Sequence, residues 1–298
     1  MKVGFIGLGT MGGPMAMNVL KGGHRLMVLD VQPSAVAALT GAGATAVESP
    51  KALAAGCEVV ITMLPDAPDV ERVALGADGI VEGIRRDAIF IDMSTIDPAT
   101  TRRIGAAITG KGAAMIDSPV GKTAEFAVAG ALTLMVGGPA DVIARARPVL
   151  DCMGTDFFHC GELGAGGAMK LLNNLLAAAL LEASVETLVA GTKAGLSLDT
   201  MLSVMKTTMA WNNQLAVAMQ KRPLLGDFDP GFMLKLGHKD CRLALELYES
   251  LGAPAVVGRA AFASLEEGLA NGLGANDIGA LLKLREEQVG VRVRLPGR

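Results

Sequence analysis

The sequence predicts an α/β protein in which an N-terminal, doubly wound parallel sheet is followed by an all-α C-terminal domain. Two patterns favour the sheet: short apolar runs alternate with helical segments through the first 161 residues, and the first of these runs ends in a glycine-rich turn. The third pattern is a change of composition, because strand-like runs disappear after residue 161. At 298 residues the chain is long enough for two domains, which we place at 1–161 and 162–298.

The first domain is predicted to alternate strands with helices, and the second to contain helices alone. Because ligands bind at the carboxyl ends of the strands of such a sheet, we expect the loops at 63–65, 94–95 and 121–123 to face one cleft. The predicted strands are 2–7, 25–29, 58–63, 88–92, 114–117 and 132–136. The predicted helices are 11–22, 36–42, 70–75, 98–111 and 140–153, then, after a glycine-rich link at 161–167, a helix around residue 170 that ends near 193, and helices at 198–205, 211–219, 233–252, 259–270 and 279–289.

The glycine-rich turn after the first strand has the pattern GxGxxG and stands directly before a predicted helix. In this context Gly7 permits the tight turn, Gly9 lets the backbone approach a pyrophosphate, and Gly12 allows the helix to pack closely on the strand. The amide groups at the start of the helix then bind the phosphates. The pattern therefore predicts a dinucleotide site.

Asp30 ends the second predicted strand, 18 residues beyond the last glycine of the motif. At this position a carboxylate accepts hydrogen bonds from the ribose 2′-hydroxyl and repels a 2′-phosphate. The next residues, 31–33, supply no arginine for such a phosphate. We therefore expect NAD in preference to NADP; the alternative is that Asp30 merely caps a turn or helix.

Composition and charge exclude several other classes of protein. A formal net charge of −3 gives no support to binding of nucleic acid or of a membrane surface. The four cysteines lack the spacing of metal ligands, so we expect reduced thiols, no metal and a cytoplasmic protein. The apolar segment around residue 180 carries Glu182 and Glu186, which argues against a membrane span. Nucleophile-elbow, HExxH and P-loop motifs are absent from the sequence.

Lys170, Asn173 and Asn174 interrupt an apolar helix at spacings that place them on one face. Burial of a lysine without a partner costs several kcal/mol, so such a residue is paired, functional or reaches the surface. One interpretation is a catalytic face. The other is that Lys170 extends to solvent and the asparagines cap a neighbouring element.

Four motifs in order resemble those of the β-hydroxyacid dehydrogenase family, over nearly the whole chain. They are the segments 4–12, 117–124 and 164–174 and the His238-Lys239-Asp240 cluster. The resemblance implies a Rossmann domain, an NAD-dependent oxidoreductase acting on CH–OH groups, a homodimer or homotetramer, and Lys170 as the catalytic residue. It places substrate at Gly121, Lys122, Thr123, Asn173, Asn174 and Ala177, and the dinucleotide at Gly7, Leu8, Gly9, Thr10, Met11, Gly12, Asp30, Met63, Leu64, Pro65, Thr95 and Lys239.

One departure from the family concerns the acid group of the substrate. Most members have a Ser-Gly-Gly sequence where this chain has Gly121-Lys122-Thr123, which resembles members that reduce a sulfonated three-carbon aldehyde. A lysine there favours 3-sulfolactaldehyde as substrate, with 2,3-dihydroxypropane-1-sulfonate as product. The alternative is that Lys122 is an ordinary loop residue.

Other functions remain open at this point. The substrate can instead be 3-hydroxyisobutyrate, tartronate semialdehyde, succinic semialdehyde or a similar compound without a sulfonate. An imine reductase of the same fold is disfavoured, because such relatives commonly lack a lysine at the position of Lys170. A dinucleotide-binding sensor without turnover is the alternative from outside the enzymes.

Overall fold

The computed structural model describes residues 1–295 of the chain, and these form two compact units that meet within one helix, after Lys170. The first unit contains nine strands and eight short helices, and the second contains the remaining helices of the described chain. The strands are β1 (Lys2–Ile6), β2 (Arg25–Leu29), β3 (Thr45–Ala46), β4 (Val59–Thr62), β5 (Ile89–Asp92), β6 (Ala114–Asp117), β7 (Val120–Gly121), β8 (Leu132–Gly137) and β9 (Gly154–Gly161).

The helices of the first unit lie between these strands, as the alternating pattern predicts. They are α1 (Gly12–Lys21), α2 (Pro33–Gly41), α3 (Pro50–Gly56), α4 (Ala67–Leu75), α5 (Ile80–Gly83), α6 (Pro98–Thr109), α7 (Ala124–Val128) and α8 (Ala140–Leu150). The predicted doubly wound sheet is confirmed.

The strands form one sheet in the order β3-β2-β1-β4-β5-β6-β8-β7, with β9 paired to β8. The run from β3 to β6 is parallel, and β8 is antiparallel to β6. Because the order reverses between β1 and β4, the loops after these two strands border the crevice where such sheets bind ligands.

Alternate residues of the central strands belong to different cores. Val59 and Ile61 of β4 pack in one apolar cluster, whereas Val60 packs in another. The same division separates Ile91 from Phe90 in β5. The sheet is therefore covered on both faces, which explains why its strands are uniformly apolar in sequence.

Several short elements were not predicted. Helix α3 begins after Ser49, whose hydroxyl accepts from the amide of Ala52, with Pro50 at its first position. The strands β3 and β7 and the helix α5 have at most four residues each, which is too short for a hydrophobic period to register.

The second unit begins at Leu171, part of the way along the long helix α9 (Ala165–Lys193). That helix starts within the predicted glycine-rich link. The last strand, β9, ends at Gly161, and we propose that the helical domain starts at residue 162. The later helices are α10 (Leu198–Lys206), α11 (Met219–Lys221), α12 (Leu234–Ser250), α13 (Val256–Ala270) and α14 (Leu281–Val289), with a π-helical segment (Gln214–Ala218) before α11 and short 3-10 turns at Pro223–Leu225, Leu273–Ala275 and Ile278–Ala280.

Helix α9 is the one described helix long and apolar enough to cross a membrane by length and composition alone. Its Glu182, however, is buried and accepts from Arg285 Nε at 2.7 Å and from Ser264 Oγ at 3.0 Å. These contacts pair the buried acid with other helices of the same unit, so α9 is a core helix of that unit.

Candidate active site

The glycine loop after β1 has the geometry that a dinucleotide requires. Gly7 has φ +93°, and a Cβ there would lie 2.3 Å from the carbonyl oxygen of Met63. A Cβ on Gly12 would lie 1.9 Å from the carbonyl oxygen of Gly7. Gly9 differs, because no described atom lies within 4 Å of a Cβ built there. The open space is therefore at the glycine predicted to approach the pyrophosphate.

Some of the amides that follow this loop are candidates to bind an anion, although that of Gly13 donates to the carbonyl oxygen of Gly9 at 2.9 Å. Helix α1 begins after Met11, lacks a side-chain cap and carries no acidic residue in its first turn. Its first amides therefore have no side-chain acceptor, and they lie at the positive end of the helix dipole. These residues fit the diphosphate of a dinucleotide.

Asp30 lies beside the loop, at the end of β2. Its Oδ2 accepts from the amide of Leu8 at 2.6 Å, and its Oδ1 accepts from the amide of Gln32 at 2.7 Å. A carboxylate oxygen accepts up to two hydrogen bonds, so each oxygen retains capacity for a ribose hydroxyl. The carboxylate therefore fixes the loop and retains lone pairs for a further donor.

A buried network supports the loops after β4 and β5. The amide of Leu64 donates to Ser94 Oγ at 2.9 Å, and the amide of Ser94 donates to Asp92 Oδ1 at 3.1 Å. Thr62 Oγ1 also donates to that oxygen, at 2.8 Å. Burial raises the pKa of Asp92 to about 6, and its Oδ2 is buried without a hydrogen-bond partner in the described chain. The loops that carry Met63, Leu64, Pro65 and Thr95 are thus held by one internal carboxylate.

Asp117 ends β6 and joins the sheet to the first turn of α9. Its Oδ1 accepts from the amide of Gly164 at 2.7 Å, and its Oδ2 accepts from the amide of Gly167 at 2.6 Å. Burial raises the pKa of Asp117, against the effect of these amides. A carboxylate at the start of a helix satisfies its free amides and opposes the positive end of its dipole. Asp117 therefore fixes the start of the helix that carries Lys170.

The predicted catalytic residues lie along α9. Lys170, Asn174 and Ala177 are half-buried and Asn173 is exposed, at spacings of one helical turn. Asn174 accepts from Asn173 Nδ2 at 3.2 Å. The predicted single polar face is therefore present on the helix.

In the second unit, Asn174 is connected to the predicted Lys-Asp pair. Its Nδ2 donates to Asp240 Oδ2 at 2.7 Å, and the Nζ of Lys239 lies 3.2 Å from Asp240 Oδ1. Both charged side chains are largely buried, with 13% and 4% of their surface exposed. Asp240 therefore orients the carboxamide of Asn174 and balances the charge of Lys239.

The loop at Gly121-Lys122-Thr123 lies in the first unit, between β7 and α7. Lys122 has φ +76°, a conformation that favours glycine. Its Nζ donates to Asp156 Oδ2 at 2.5 Å and to the carbonyl oxygen of Ala131 at 2.8 Å, and lies 5.1 Å from the centre of the Phe126 ring. The predicted cation of the substrate cradle is thus already paired.

Sequence reasoning missed three supporting residues: Asp92, Asp117 and Asp156. The first two are the last residues of adjacent strands and are paired in register, a position where sheets carry functional side chains, so their signal was present. Asp156 gave no local signal, because it is 34 residues from the lysine that it binds. The residues around the dinucleotide loop and the 121–123 loop all belong to the first unit, and Asn173, Asn174, Ala177 and Lys239 belong to the second.

Comparison with known proteins covers almost the entire chain. Residues 2–161 match the model of the NAD binding domain of 6-phosphogluconate dehydrogenase, and residues 164–285 match that of the NAD-binding region of NADP-dependent 3-hydroxyisobutyrate dehydrogenase. The chain is 38% identical to 3-sulfolactaldehyde reductase of Escherichia coli, with 98% of each chain covered. It is 37% identical to 2-(hydroxymethyl)glutarate dehydrogenase of Eubacterium barkeri, with 98% of this chain and 97% of that protein covered.

A solved structure of 3-hydroxyisobutyrate dehydrogenase from Mycobacterium tuberculosis with L-serine superimposes with a TM-score of 0.88, at 32% identity, over 95% of this chain and 98% of that one. The dinucleotide geometry, the polar face of α9 and these matches agree. The chain belongs to the β-hydroxyacid dehydrogenase family and is an oxidoreductase of the 3-hydroxyisobutyrate dehydrogenase type, which acts on CH–OH groups of small molecules with a nicotinamide dinucleotide.

Proposed function

We propose that this protein interconverts a short anionic aldehyde and its primary alcohol with NAD(H), and that 3-sulfolactaldehyde and 2,3-dihydroxypropane-1-sulfonate are the first candidate pair. The observation that carries this choice is Lys122, a cation at a left-handed backbone position in the substrate loop. A relative covering almost the whole chain is named 3-sulfolactaldehyde reductase. The protein is proposed to act in the cytoplasm.

In this proposal Lys170 is the acid and base of the reaction. The bound dinucleotide supplies or accepts a hydride at the carbonyl carbon. The ammonium of Lys170 donates a proton to the aldehyde oxygen, and in the reverse direction the neutral amine takes the alcohol proton. Asn173 and Asn174, one turn further along α9, hold the substrate by their carboxamides.

The test of this role is Lys170→Ala, measured as turnover and as NADH binding. We expect kcat to fall by about 10²–10⁴-fold, the usual contribution of a positioned acid and base. NADH binding should change little. Turnover within about threefold of the wild-type value would exclude Lys170 as the proton donor.

The preference for NAD over NADP rests on Asp30. The carboxylate is held by two amides at the end of β2, a position where an acidic residue binds the ribose hydroxyls and repels a 2′-phosphate in dinucleotide folds. Asp30→Ala should weaken NAD binding and raise the relative activity with NADP. Lys239, beside Asp240, is proposed to contact the cofactor as well.

The sulfonate proposal requires the ammonium of Lys122 to exchange partners. In the structure its charge is balanced by Asp156, but this pair is partly exposed, with 30% and 48% of the two side chains accessible. Exposed ion pairs contribute only about 0–1 kcal/mol, so a fully ionised sulfonate can displace the carboxylate. The hydroxyl of Thr123 and the amides of the loop supply the remaining donors for its three oxygens.

A carboxylated substrate is the second candidate, and the same ion pair favours it. If Lys122 remains bound to Asp156, the loop presents amides and a hydroxyl, which suit a carboxylate. The relative named 2-(hydroxymethyl)glutarate dehydrogenase is consistent with this reading. Candidates of this class are 3-hydroxyisobutyrate, tartronate semialdehyde, and succinic semialdehyde with its alcohol 4-hydroxybutyrate.

The deciding experiment measures NADH oxidation with sulfolactaldehyde, tartronate semialdehyde and succinic semialdehyde, for the wild type and Lys122→Gly. Glycine suits the left-handed backbone at this position, so the variant removes the charge without strain. We expect KM to rise at least tenfold for the sulfonate and less than threefold for the carboxylates. Equal rises for both classes would reject the sulfonate assignment.

Lys51→Ala is the matched control, because that lysine also forms an exposed ion pair, with Glu82 at 2.9 Å, and lies outside the proposed site. Its KM values should equal those of the wild type.

A homo-oligomer, either a dimer or a tetramer, is proposed on the basis of α9. Three of its leucines, Leu172, Leu176 and Leu180, are exposed at four-residue spacing and form an apolar stripe. A second copy of the chain is the proposed occupant. Light scattering of the wild type and of Leu176→Glu tests it, since the charge should shift the molecular mass toward that of the monomer.

A further inference from the structure

A cavity of about 110 Å³ lies in the second unit, and Asn174 forms part of its wall. The volume accommodates several heavy atoms, since a buried site needs only about 10–15 Å³ of such space for one water molecule. Ala177 and Gln214 also line it, and Phe232, Cys241 and Ile278 provide apolar wall. The cavity therefore has room for a small chemical group beside a residue proposed to bind substrate.

Helix α9 determines which part of a substrate this cavity can reach. Asn174 follows Lys170 by four residues, which corresponds to about 6 Å along the helix axis. The two side chains project from one face of the helix, so both can reach a single small substrate, and a substituent close to the oxygen that Lys170 is proposed to protonate can reach the cavity. Ala177 follows on the same face, and its small side chain leaves the volume free.

Gln214 supplies the polar group of the cavity. Its Nε2 donates to the carbonyl oxygen of Ala177 at 3.0 Å. Within residues 1–295, no protein donor bonds its Oε1, which leaves that atom free to accept from a ligand. The lining residues of this cavity include no lysine or arginine, and Asp240 lies behind Asn174 at 2.7 Å. The cavity therefore suits a neutral donor such as a hydroxyl and disfavours an anion.

Hydrogen bonds from neighbouring side chains hold the backbone around Gln214 in one conformation. Gln214 is the first residue of the π-helical segment. π-Helical geometry is rare in proteins, but where it occurs it is often at a functional site. Asn212 Oδ1 accepts from the amides of Gln214 at 2.9 Å and Leu215 at 3.3 Å, and Gln220 Nε2 donates to the carbonyl oxygen of Leu215 at 2.7 Å. Side chains thus satisfy the backbone groups that a regular helix would pair.

The opposite wall is equally well fixed. Asp277 Oδ2 accepts from the amides of Gly231 at 2.9 Å and Phe232 at 3.0 Å, and its Oδ1 accepts from the amide of Gly279 at 2.9 Å. A Cβ on Gly237 would lie 2.6 Å from Ile278 Cδ1, so the backbone of Gly237 packs closely against Ile278. The cavity is therefore a preformed feature of the helical domain.

We propose that this cavity binds the substituent on the carbon next to the reacting carbon of the substrate, and that Gln214 selects a hydroxyl there. The proposal rests on the proposed function, since it assumes that Lys170 addresses the reacting oxygen. The cavity would then bind a neutral substituent and not the acid group, because its lining residues include no lysine or arginine.

The test compares three alcohols that share the acid group and the reacting CH₂OH and differ only at the neighbouring carbon, which carries hydroxyl, methyl or hydrogen. The acid group is the one that the wild type prefers, sulfonate or carboxylate. We expect the wild type to prefer the hydroxylated compound in kcat/KM. Gln214→Met, which keeps the length of the side chain, should lower kcat/KM at least tenfold for that compound and less than threefold for the other two.

Ala177→Leu is the second variant and acts through volume instead of hydrogen bonding. It should lower kcat/KM for both substituted compounds and leave the unsubstituted one within about threefold. Gln288→Met is the matched control, because Gln288 is a glutamine outside the cavity. Thermal midpoints and NADH binding of all variants should match those of the wild type.

Equal losses on all three alcohols with Gln214→Met would overturn the selection of a hydroxyl, whereas the proposed function would stand. A wild-type enzyme that oxidises none of the three, with either acid group, would reject the proposed function and the cavity assignment together.

Discussion

The glycine loop after β1 and the lysine loop at 121–123 are the two proposed anion sites of the first unit, and they differ in construction. In the glycine loop, backbone amides are proposed to bind the anion, and no described atom lies within 4 Å of a Cβ built on Gly9. In the lysine loop a side chain supplies the charge, and Asp156 already neutralises it. A residue distant in sequence cannot remove the hydrogen-bond donors of a backbone, whereas it can neutralise the charge of a side chain.

This difference indicates that specificity for the substrate can change more easily than specificity for the cofactor. In a dinucleotide loop the amides and glycines of one short segment contact the phosphates. The proposed acid-binding loop contains Lys122, whose partner Asp156 lies 34 residues away in sequence, so a change at either residue would alter the net charge of this loop. The class of cofactor can therefore be predicted from one short segment of sequence, whereas the class of substrate depends on residues that are distant in sequence.

The largest effect is expected from Gly9→Ala. Its methyl group meets no described atom of the protein but occupies the space proposed for the pyrophosphate. Loss of two charge-assisted hydrogen bonds of about 1.5 kcal/mol each would weaken NADH binding by about 100-fold, with an unchanged thermal midpoint of the apoprotein. Fluorescence titration and thermal unfolding measure both quantities.

Gly41→Ala serves as the control, because its Cβ would also meet no described atom and its backbone is helical. If Gly9→Ala binds NADH as the wild type does, backbone approach to the cofactor at this loop is refuted.

The next effect concerns Asp92, which supports the loops between the two anion sites. Burial raises the pKa of its carboxyl to about 6, above the ordinary value of 3.8. The folded state therefore binds its proton more tightly, and the stability that this provides below pH 4 is lost as pH rises through 6. The loss is on the order of 3 kcal/mol.

Asp92→Asn removes this titration. The free energy of unfolding of the variant minus that of the wild type should increase between pH 4 and pH 7 in urea titrations of the apoprotein, because only the wild type loses stability there. A difference that stays constant across this range would show that the buried carboxyl does not titrate as stated.

A somewhat smaller effect is expected from Asp117→Asn, which weakens the anchor of α9. One carboxylate oxygen becomes an NH₂ group that faces a backbone amide, so one buried hydrogen bond is lost, at a cost of about 1–3 kcal/mol. We expect kcat to fall about 30-fold, with NADH binding nearly unchanged, since the turn that precedes Lys170 shifts.

Ser118→Ala tests the adjacent position at the end of the same strand. Its hydroxyl is buried without a hydrogen-bond partner in the described chain, so its removal should leave kcat and stability unchanged. A similar loss of kcat in both variants would mean that the effect of Asp117 is general disruption of the strand end.

The smallest effect is expected from Asp156→Asn, which frees the charge of Lys122. Because the pair is partly exposed, its removal is worth at most about 1 kcal/mol, and KM for the anionic substrate should fall about threefold. The double variant with Lys122→Gly should lose this gain. A KM that is unchanged would indicate that Lys122 does not reach the acid group.

The sequence predicted the sheet, its helices and the positions of the cofactor loop because these depend on local patterns. The strands are buried on both faces and therefore apolar, and the turn after β1 needs glycines at fixed spacing. Short elements such as β3 and α5 escaped, since two to four residues carry no period. The start of α9 also differed, because Asp117 allows a helix to begin at Ala165 among glycines.

By itself, then, the sequence determined the fold class, the dinucleotide loop and the polar face of α9, each of which is encoded within one turn or one helix. The tertiary structure decided which acid serves which group: Asp117 binds the start of α9, Asp240 orients Asn174, and Asp156 pairs with Lys122. It also created the cavity beside Gln214. The physical reason is that these interactions join residues far apart in the chain, so only the packing of strands and helices brings their charges within hydrogen-bonding distance.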